Sequence, residues 1–375
     1  MNGNIRIGTL FGIPFYVNLS WLLVLGLVTF TYSNGLGAEF PELTGITTWL
    51  LGLVTALLVF ASVLAHELGH SFVAMRQGIG VQSITLFLFG GLASLEKESK
   101  TPSEAFWVAI AGPAVSFLLF GLLLIVGAIA PLASPLAAIL GVLASVNLAL
   151  ALFNLIPGLP LDGGNILKAL VWKITGNPYQ GVKFASWVGQ IFGWLAIASG
   201  LLPLVIAGNS SNLWNALVGW FLLQNASQAA QFATTQEKLV RFTVADAVTK
   251  NSPIVLDSIS LREFADQSIL MNDGHWRKFL VKNEAEQLVG NISVDILNSV
   301  PRDRWSETLV IELVNPIEPS TIISTEKTLM DALELLETQK ISTLSVIREN
   351  GVLVGLLEKI SILQLLQSQM RANPA

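Results

Sequence analysis

The chain has 375 residues, of which 52% are hydrophobic and only 13% charged, with a mean hydropathy of +0.63. That is too apolar for an ordinary soluble protein. A net charge of −5 argues against nucleic acid as a partner, and the lack of cysteine excludes disulfides, thiolate ligands and a cysteine nucleophile.

Charge is unevenly spread. Residues 1–235 hold seven Lys/Arg and seven Asp/Glu, whereas 236–375 hold fourteen and nineteen. A membrane half, 1–235, is therefore expected before a soluble half, 236–375. The first apolar run, Phe15 to Phe30, carries no cleavable signal pattern and reads as a spanning helix. Six segments are long enough to cross a hydrocarbon core of roughly 30 Å, near 15–33, 47–75, 104–130, 134–156, 180–206 and 212–232. Arg6, the Arg76/Lys97/Lys100 stretch, the Lys168/Lys173/Lys183 stretch and Lys238/Arg241 fall on one side of these spans. The loops near 34–46, 131–135 and 207–211 hold no Lys or Arg, so the basic side is predicted to be cytoplasmic. An even number of spans places both termini there. Trp21, Trp49, Trp107, Trp172 and Trp214 lie near span ends and read mostly as interfacial anchors.

The second span contains the residues of greatest chemical interest. Thr47 to Leu64 is uncharged and runs directly into His66-Glu67-Leu68-Gly69-His70. Ionisable groups at that depth cost several kcal/mol unless they are neutralised or coordinated. On a helix, positions i and i+4 share a face, so His66 and His70 can bind one Zn²⁺ through neutral ring nitrogens. Glu67 then stands where a base can take a proton from water. The chain has only three histidines, the third being His275, which falls in a polar loop of the soluble half and reads as solvated. Arg76 follows His66 by ten residues, roughly 15 Å at helical rise, which sets the site in the membrane toward the cytoplasmic end.

Val81 to Leu95 is rich in Phe, Ile and Thr and is broken by Gly90-Gly91, the pattern of a hairpin. A strand edge at membrane depth must be buried in protein or line a wet cavity, and such an edge can pair with an extended peptide. Thr101-Pro102-Ser103-Glu104 is a capping box opening the third span. Gly112 to Ser116 offers small residues four apart, the pattern of close helix packing.

Two histidines leave a zinc site one protein ligand short of the usual catalytic three. Asn154-Leu-Ile-Pro-Gly-Leu-Pro-Leu-Asp162-Gly-Gly164 holds the only acid between Glu104 and Glu237. Alone, Asp-Gly-Gly reads as a turn between helices; beside His66 and His70, Asp162 becomes the candidate third ligand. Pro157 and Pro160 break the preceding helix and free the carboxylate to turn inward.

These two motifs, with Phe89-Gly90-Gly91 and Ala111-Gly112-Pro113, resemble the site-2 protease family of intramembrane zinc metalloproteases over most of residues 1–230. The resemblance implies one Zn²⁺ per chain on His66, His70 and Asp162, Glu67 as general base, and Asn154 as a residue that holds substrate or the developing oxyanion. It also implies cleavage within a transmembrane segment of another protein, such as an anti-sigma factor or other membrane-held regulator.

The soluble half repeats at an offset of about 65 residues. Val244–Val248 echoes Val310–Val314, Ser260–Glu263 echoes Thr328–Asp331, and Phe279–Val281 with Leu288–Gly290 echoes Leu344–Val346 with Leu353–Gly355. Each unit, about 240–300 and 306–370, reads as strand, helix, two strands, helix. This is similar to a tandem CBS pair, a module that often binds adenine nucleotides. The family's ribose pattern places Ser/Thr and Asp three residues apart. Here Ser293 and Asp295 are one residue too close, and Glu358 and Ser361 stand in the second unit. The departures favour a dimerising or docking module, including a homodimer through the pair, over an adenine nucleotide site.

The expected architecture is a multi-pass α-helical membrane domain of about six spans with a membrane-associated β-hairpin, followed by a soluble α+β tandem CBS domain. The expected location is a prokaryotic cell membrane, with lipid and a transmembrane protein substrate as partners. Two rival readings are a CBS-gated channel or transporter, which lacks support from any repeat within 1–235, and a catalytically silent substrate-binding adaptor.

Overall fold

The computed structural model describes residues 3–43, 45–87, 90–129, 134–249, 251–270 and 276–372. His275 and Phe89 lie outside them. The chain divides into two compact units, 1–233 and 234–375.

The first unit opens on two strands, β1 (Asn4–Leu10) and β2 (Ile13–Asn18), then helix α1 (Leu19–Glu39). The predicted first span, 15–33, therefore starts too early. Asn18 caps α1 by accepting the backbone N–H of Ser20 at 3.0 Å, and the apolar residues before it extend as strand. Helix α2 (Ile46–Arg76) is 31 residues long and carries His66, Glu67 and His70 in its C-terminal third. The predicted hairpin forms β3 (Val81–Phe87) and β4 (Gly90–Leu95), but it belongs to a four-stranded sheet in the order β1-β2-β3-β4. Strands β2 and β3 pair in parallel, Phe15 opposite Ile84 and Val17 opposite Leu86. Ile13, Ile84 and Leu68 bury together, fixing one face of the sheet on α2 just where the histidines lie. Strand β4 is an edge strand.

Helices α3 (Pro102–Ile129) and α4 (Pro135–Asn154) follow. Thr101 caps α3, its hydroxyl accepting the Glu104 N–H at 3.2 Å, while the Glu104 carboxylate accepts the Lys100 N–H at 2.8 Å. Between predicted spans lies an unanticipated amphipathic helix, α5 (Asp162–Thr175), ended by Gly176 in the left-handed region. Then come α6 (Pro178–Ala207) and α7 (Leu213–Arg241), within which the division between units falls. Helix α7 runs antiparallel to α6, packed so closely that a Cβ on Gly193 would lie 3.0 Å from the Gly219 carbonyl oxygen.

Among the described residues five helices, α1, α2, α3, α4 and α6, are long and apolar enough to cross a membrane. Helix α7, the sixth predicted span, is not among them because Asn215, Gln224, Asn225 and Gln228 dilute its apolar run. Large apolar side chains such as Leu23, Leu27, Ile125 and Leu195 remain exposed, as lipid-facing residues do.

The second unit contains two three-stranded sheets. After the short helix α8 (Val244–Ala247), the first holds β5 (Ile254–Leu256), β6 (Lys278–Lys282) and β7 (Leu288–Ser293), with α9 (Leu261–Leu270). The second holds β8 (Ile322–Ser324), β9 (Thr343–Ile347) and β10 (Leu353–Glu358), with α10 (Leu329–Thr338) and α11 (Lys359–Ala372). The repeat crosses over: Val244 and Ala247 bury in the core of the second sheet, while Val310 buries in that of the first. The predicted closing helix of the first repeat is only a 3₁₀ segment, Val294–Asn298, because Pro301 cannot continue a helix.

Candidate active site

The site is assembled by backbone approach. On α2, Gly69 lets α3 come in, since a Cβ there would lie 2.9 Å from the Ala111 carbonyl oxygen. One residue further along α3, Gly112 faces both imidazoles: an added Cβ would sit 2.6 Å from His66 Nε2 and closer still to His70 Nε2. After α4 the chain turns tightly, with the Leu159 N–H donating to the Ala185 carbonyl of α6 at 3.1 Å. Gly163 and Gly164 lie directly on the backbone of residues 155–159, where any Cβ would collide. These contacts hold the first residue of α5, Asp162, against the end of α2.

His66 Nε2 is 3.0 Å and His70 Nε2 3.3 Å from Asp162 Oδ2, and the two nitrogens are 3.3 Å apart. A tetrahedral ion with ligands at about 2.1 Å separates its donors by about 3.4 Å, so this triangle has the dimensions of a zinc face. The outer ring nitrogens are held as well. His70 Nδ1–H donates to the Val108 carbonyl at 2.7 Å, leaving Nε2 free to ligate. His66 Nδ1 bonds the wholly buried Ser116 hydroxyl at 2.9 Å. His66, His70 and Asp162 are the only His/Cys/Asp/Glu group among the described residues with donors clustered this closely.

All the predicted site residues line one cavity of about 510 Å³. The Glu67 carboxyl enters it against β4, where a Cβ on Gly91 would lie 2.8 Å from Glu67 Cδ. Asn154 lines it too, its amide donating to the Leu150 carbonyl at 3.1 Å. The hairpin contributes Phe87, Leu92 and Ala93; α5 contributes Asn165, Lys168 and Trp172; α7 contributes Phe221 and Asn225. Trp172 thus faces the cavity, in contrast to the anchoring role expected from its position, whereas Trp49, Trp107 and Trp214 are well exposed. Sequence reasoning missed Val108 and assigned Gly112 and Ser116 to packing alone. Their spacing, one α3 turn apart and embedded in small residues, was the available signal, but only the fold brings them to the imidazoles.

A bundle of apolar helices enclosing a His-His-Asp donor set beside a glutamate defines a membrane protein with a candidate metal centre. Peptidase family M50 matches residues 54–137 and 129–197, and the CBS domain matches 310–368. The chain is 54% identical to "Putative zinc metalloprotease sll0528" of Synechocystis sp., across 98% of this chain and 97% of that one. It is 32% identical to "Putative zinc metalloprotease Rip3" of Mycobacterium tuberculosis, across 100% of this chain and 95% of the relative. A solved site-2 protease from Methanocaldococcus jannaschii aligns with 60% of this chain and 95% of its own at 33% identity, with a TM-score of 0.44. The chain belongs to peptidase family M50, the site-2 protease family, with a CBS domain in its C-terminal part.

Proposed function

We propose that this protein is a zinc-dependent intramembrane endopeptidase that cuts a transmembrane segment of a membrane-held regulatory protein. The observation that carries this reading is the donor triangle of His66, His70 and Asp162 beside Glu67, in a cavity bordered by the edge strand β4. His66, His70 and Asp162 would hold one zinc per chain, which when bound would supply Lewis acidity to polarise a carbonyl and to lower the pKa of water toward about 7. Glu67 accepts the proton of the attacking water and delivers it to the leaving amine. Asn154 exchanges its bond to the Leu150 carbonyl for the substrate carbonyl oxygen as charge develops there. A helical peptide bond is shielded by its own hydrogen bonds, so the segment must unwind. The open edge of β4 offers the unwound backbone replacement partners.

Helix α7 is taken as the sixth crossing, since it returns along α6 and its Asn225 faces the cavity rather than lipid. With the loop charges above, both termini and the CBS pair are then cytoplasmic. The pair acts as a docking or dimerising module, a homodimer being the simplest case. The hydroxyls nearest the nucleotide pattern are already engaged: Ser293 with Asp295, and Ser361 with Thr249 at 3.2 Å.

The test is Glu67→Gln. Membrane and soluble fractions of cells carrying wild type or variant are compared by mass spectrometry for cytoplasmic fragments of membrane proteins. Fragments present with wild type should vanish with the variant, while the purified variant keeps about one zinc per chain, as a lost base without a lost ligand requires. Unchanged fragments would remove the proteolytic reading.

A further inference from the structure

One charged side chain in the cavity has no part in the hydrolytic chemistry. Asp162, Asn165, Lys168 and Trp172 of α5 all line the cavity, so Lys168 borders the same space as Asp162. It is the only Lys or Arg among the described lining residues, and its side chain is 20% exposed. Its partner is Glu98, on the segment between β4 and α3, which is 75% exposed and stands 3.5 Å away. That separation is longer than the ~2.7–2.9 Å of a charge-assisted hydrogen bond, so the pair is loosely made. The cavity's other carboxylates, Glu67 and Asp162, belong to the catalytic set. A largely buried lysine side chain thus borders the substrate space, and among the described residues its ion-pair partner is a solvent-exposed carboxylate.

We propose that Lys168 is a specificity-determining residue that binds a carboxylate of the substrate segment, and that Glu98 holds this place until substrate displaces it. The proposal rests on the proteolytic reading above. Lys168 follows Asp162 by six residues, roughly 9 Å along α5. An extended peptide advances about 3.3 Å per residue, so the recognised carboxylate lies two to four residues from the scissile bond. Such a contact answers a need that strand pairing leaves open. Backbone bonds to β4 are the same in every two-residue register, so pairing alone does not choose which bond meets Glu67. A single fixed cation chooses it. The carboxylate can come from an Asp or Glu side chain or from a chain end, and the same lysine chemistry serves either source.

The experiment uses the purified, zinc-loaded full chain in detergent micelles. Its probes are amidated apolar peptides: an uncharged parent, and versions identical to it except for one Asp, or one Lys, moved stepwise along the sequence. A further peptide has no Asp but a free C-terminal carboxylate. Cut positions and rates are read by mass spectrometry. Wild type should cut at a constant spacing of two to four residues from the Asp, with kcat/KM raised about three- to tenfold over the uncharged peptide, as befits a partly screened ion pair. Lys168→Gln should abolish the constant spacing, and Lys168→Glu should transfer the preference to peptides bearing Lys. Glu98→Gln, which removes the competing carboxylate, should keep the spacing and lower KM. Cutting at constant distance from the free C-terminus alone would assign the carboxylate to a chain end. Cut sites that ignore the Asp, or a spacing that survives Lys168→Gln, would overturn the proposal while leaving proteolysis intact. Failure of zinc-loaded wild type to cut any peptide would instead defeat the proteolytic reading, and this proposal with it.

Discussion

Gly112→Ala tests how the donor triangle is held. The added methyl would lie 2.6 Å from His66 Nε2 and closer to His70 Nε2. Ordinary contact requires about 3.5 Å, so one or both rings must retreat by about 1 Å. Zinc ligation tolerates only about 0.2 Å. The rings cannot simply swing aside, because Ser116 and the Val108 carbonyl hold their far nitrogens. Removing a single outer partner of a zinc ligand already costs about 10- to 100-fold in affinity. Displacing ligands directly should cost at least 100-fold, about 3 kcal/mol. Alanine is the better helix former by about 1 kcal/mol, so the bare helix is not weakened by the change. The assay is a competition titration of the purified full chain against a chromophoric chelator, with metal content measured in parallel and thermal unfolding followed in excess chelator. Zinc binding should collapse, and the metal-free protein should still unfold cooperatively, at a lower temperature than wild type because the same methyl presses on the held rings. A variant that binds one zinc at wild-type affinity would refute this account of the site.

Two further substitutions separate support from chemistry. Ser116→Ala removes the hydroxyl partner of His66 Nδ1 without adding bulk, so zinc affinity should fall about 10- to 100-fold in the same titration, with no change in the cut sites. Gly91→Ala presses a methyl against the Glu67 carboxyl and touches no metal donor; cleavage should drop about 100-fold or more while zinc content stays near one per chain.

The donor set was legible in the sequence because the two parts of the signal are local. His66 and His70 are four apart in a span without charge, and Asp162 is an isolated acid behind a proline-broken helix. The hairpin was legible for the same reason, being an apolar run interrupted by two glycines. Its partners were not, since the pairing of Phe15 with Ile84 joins strands separated by two whole spans, α1 and α2. The run before Asn18 is apolar enough to read as part of the first span, although Asn18 is an N-cap residue that marks the boundary. Helix α5 was hidden by its start: Asp-Gly-Gly reads as a turn, and its lysines read as a basic loop. Here the glycines serve contact with residues 155–159, which local propensity does not reveal. The shortfall of α7 has the opposite origin. Polar residues that face a cavity lower the apolarity of a helix without changing its packing, as Asn225 does.

Helix α3 supplies no metal donor, yet the site depends on it. It contributes the Val108 carbonyl and Ser116 hydroxyl to the imidazoles, and Ala111 and Gly112 to the seam against α2. Between membrane helices there is no hydrophobic gain in leaving lipid for protein, so close packing through small residues must supply association. The glycines that let α2 and α3 meet are therefore the ones that set the distance between imidazoles and their outer partners. Packing and ligation share atoms here, and substitutions along this seam should not be additive. A Gly69→Ala change, which pushes against Ala111, would also shift Val108 and Ser116 relative to the rings. Its cost in zinc affinity should therefore shrink when it is combined with Ser116→Ala, because the partner it displaces has already gone.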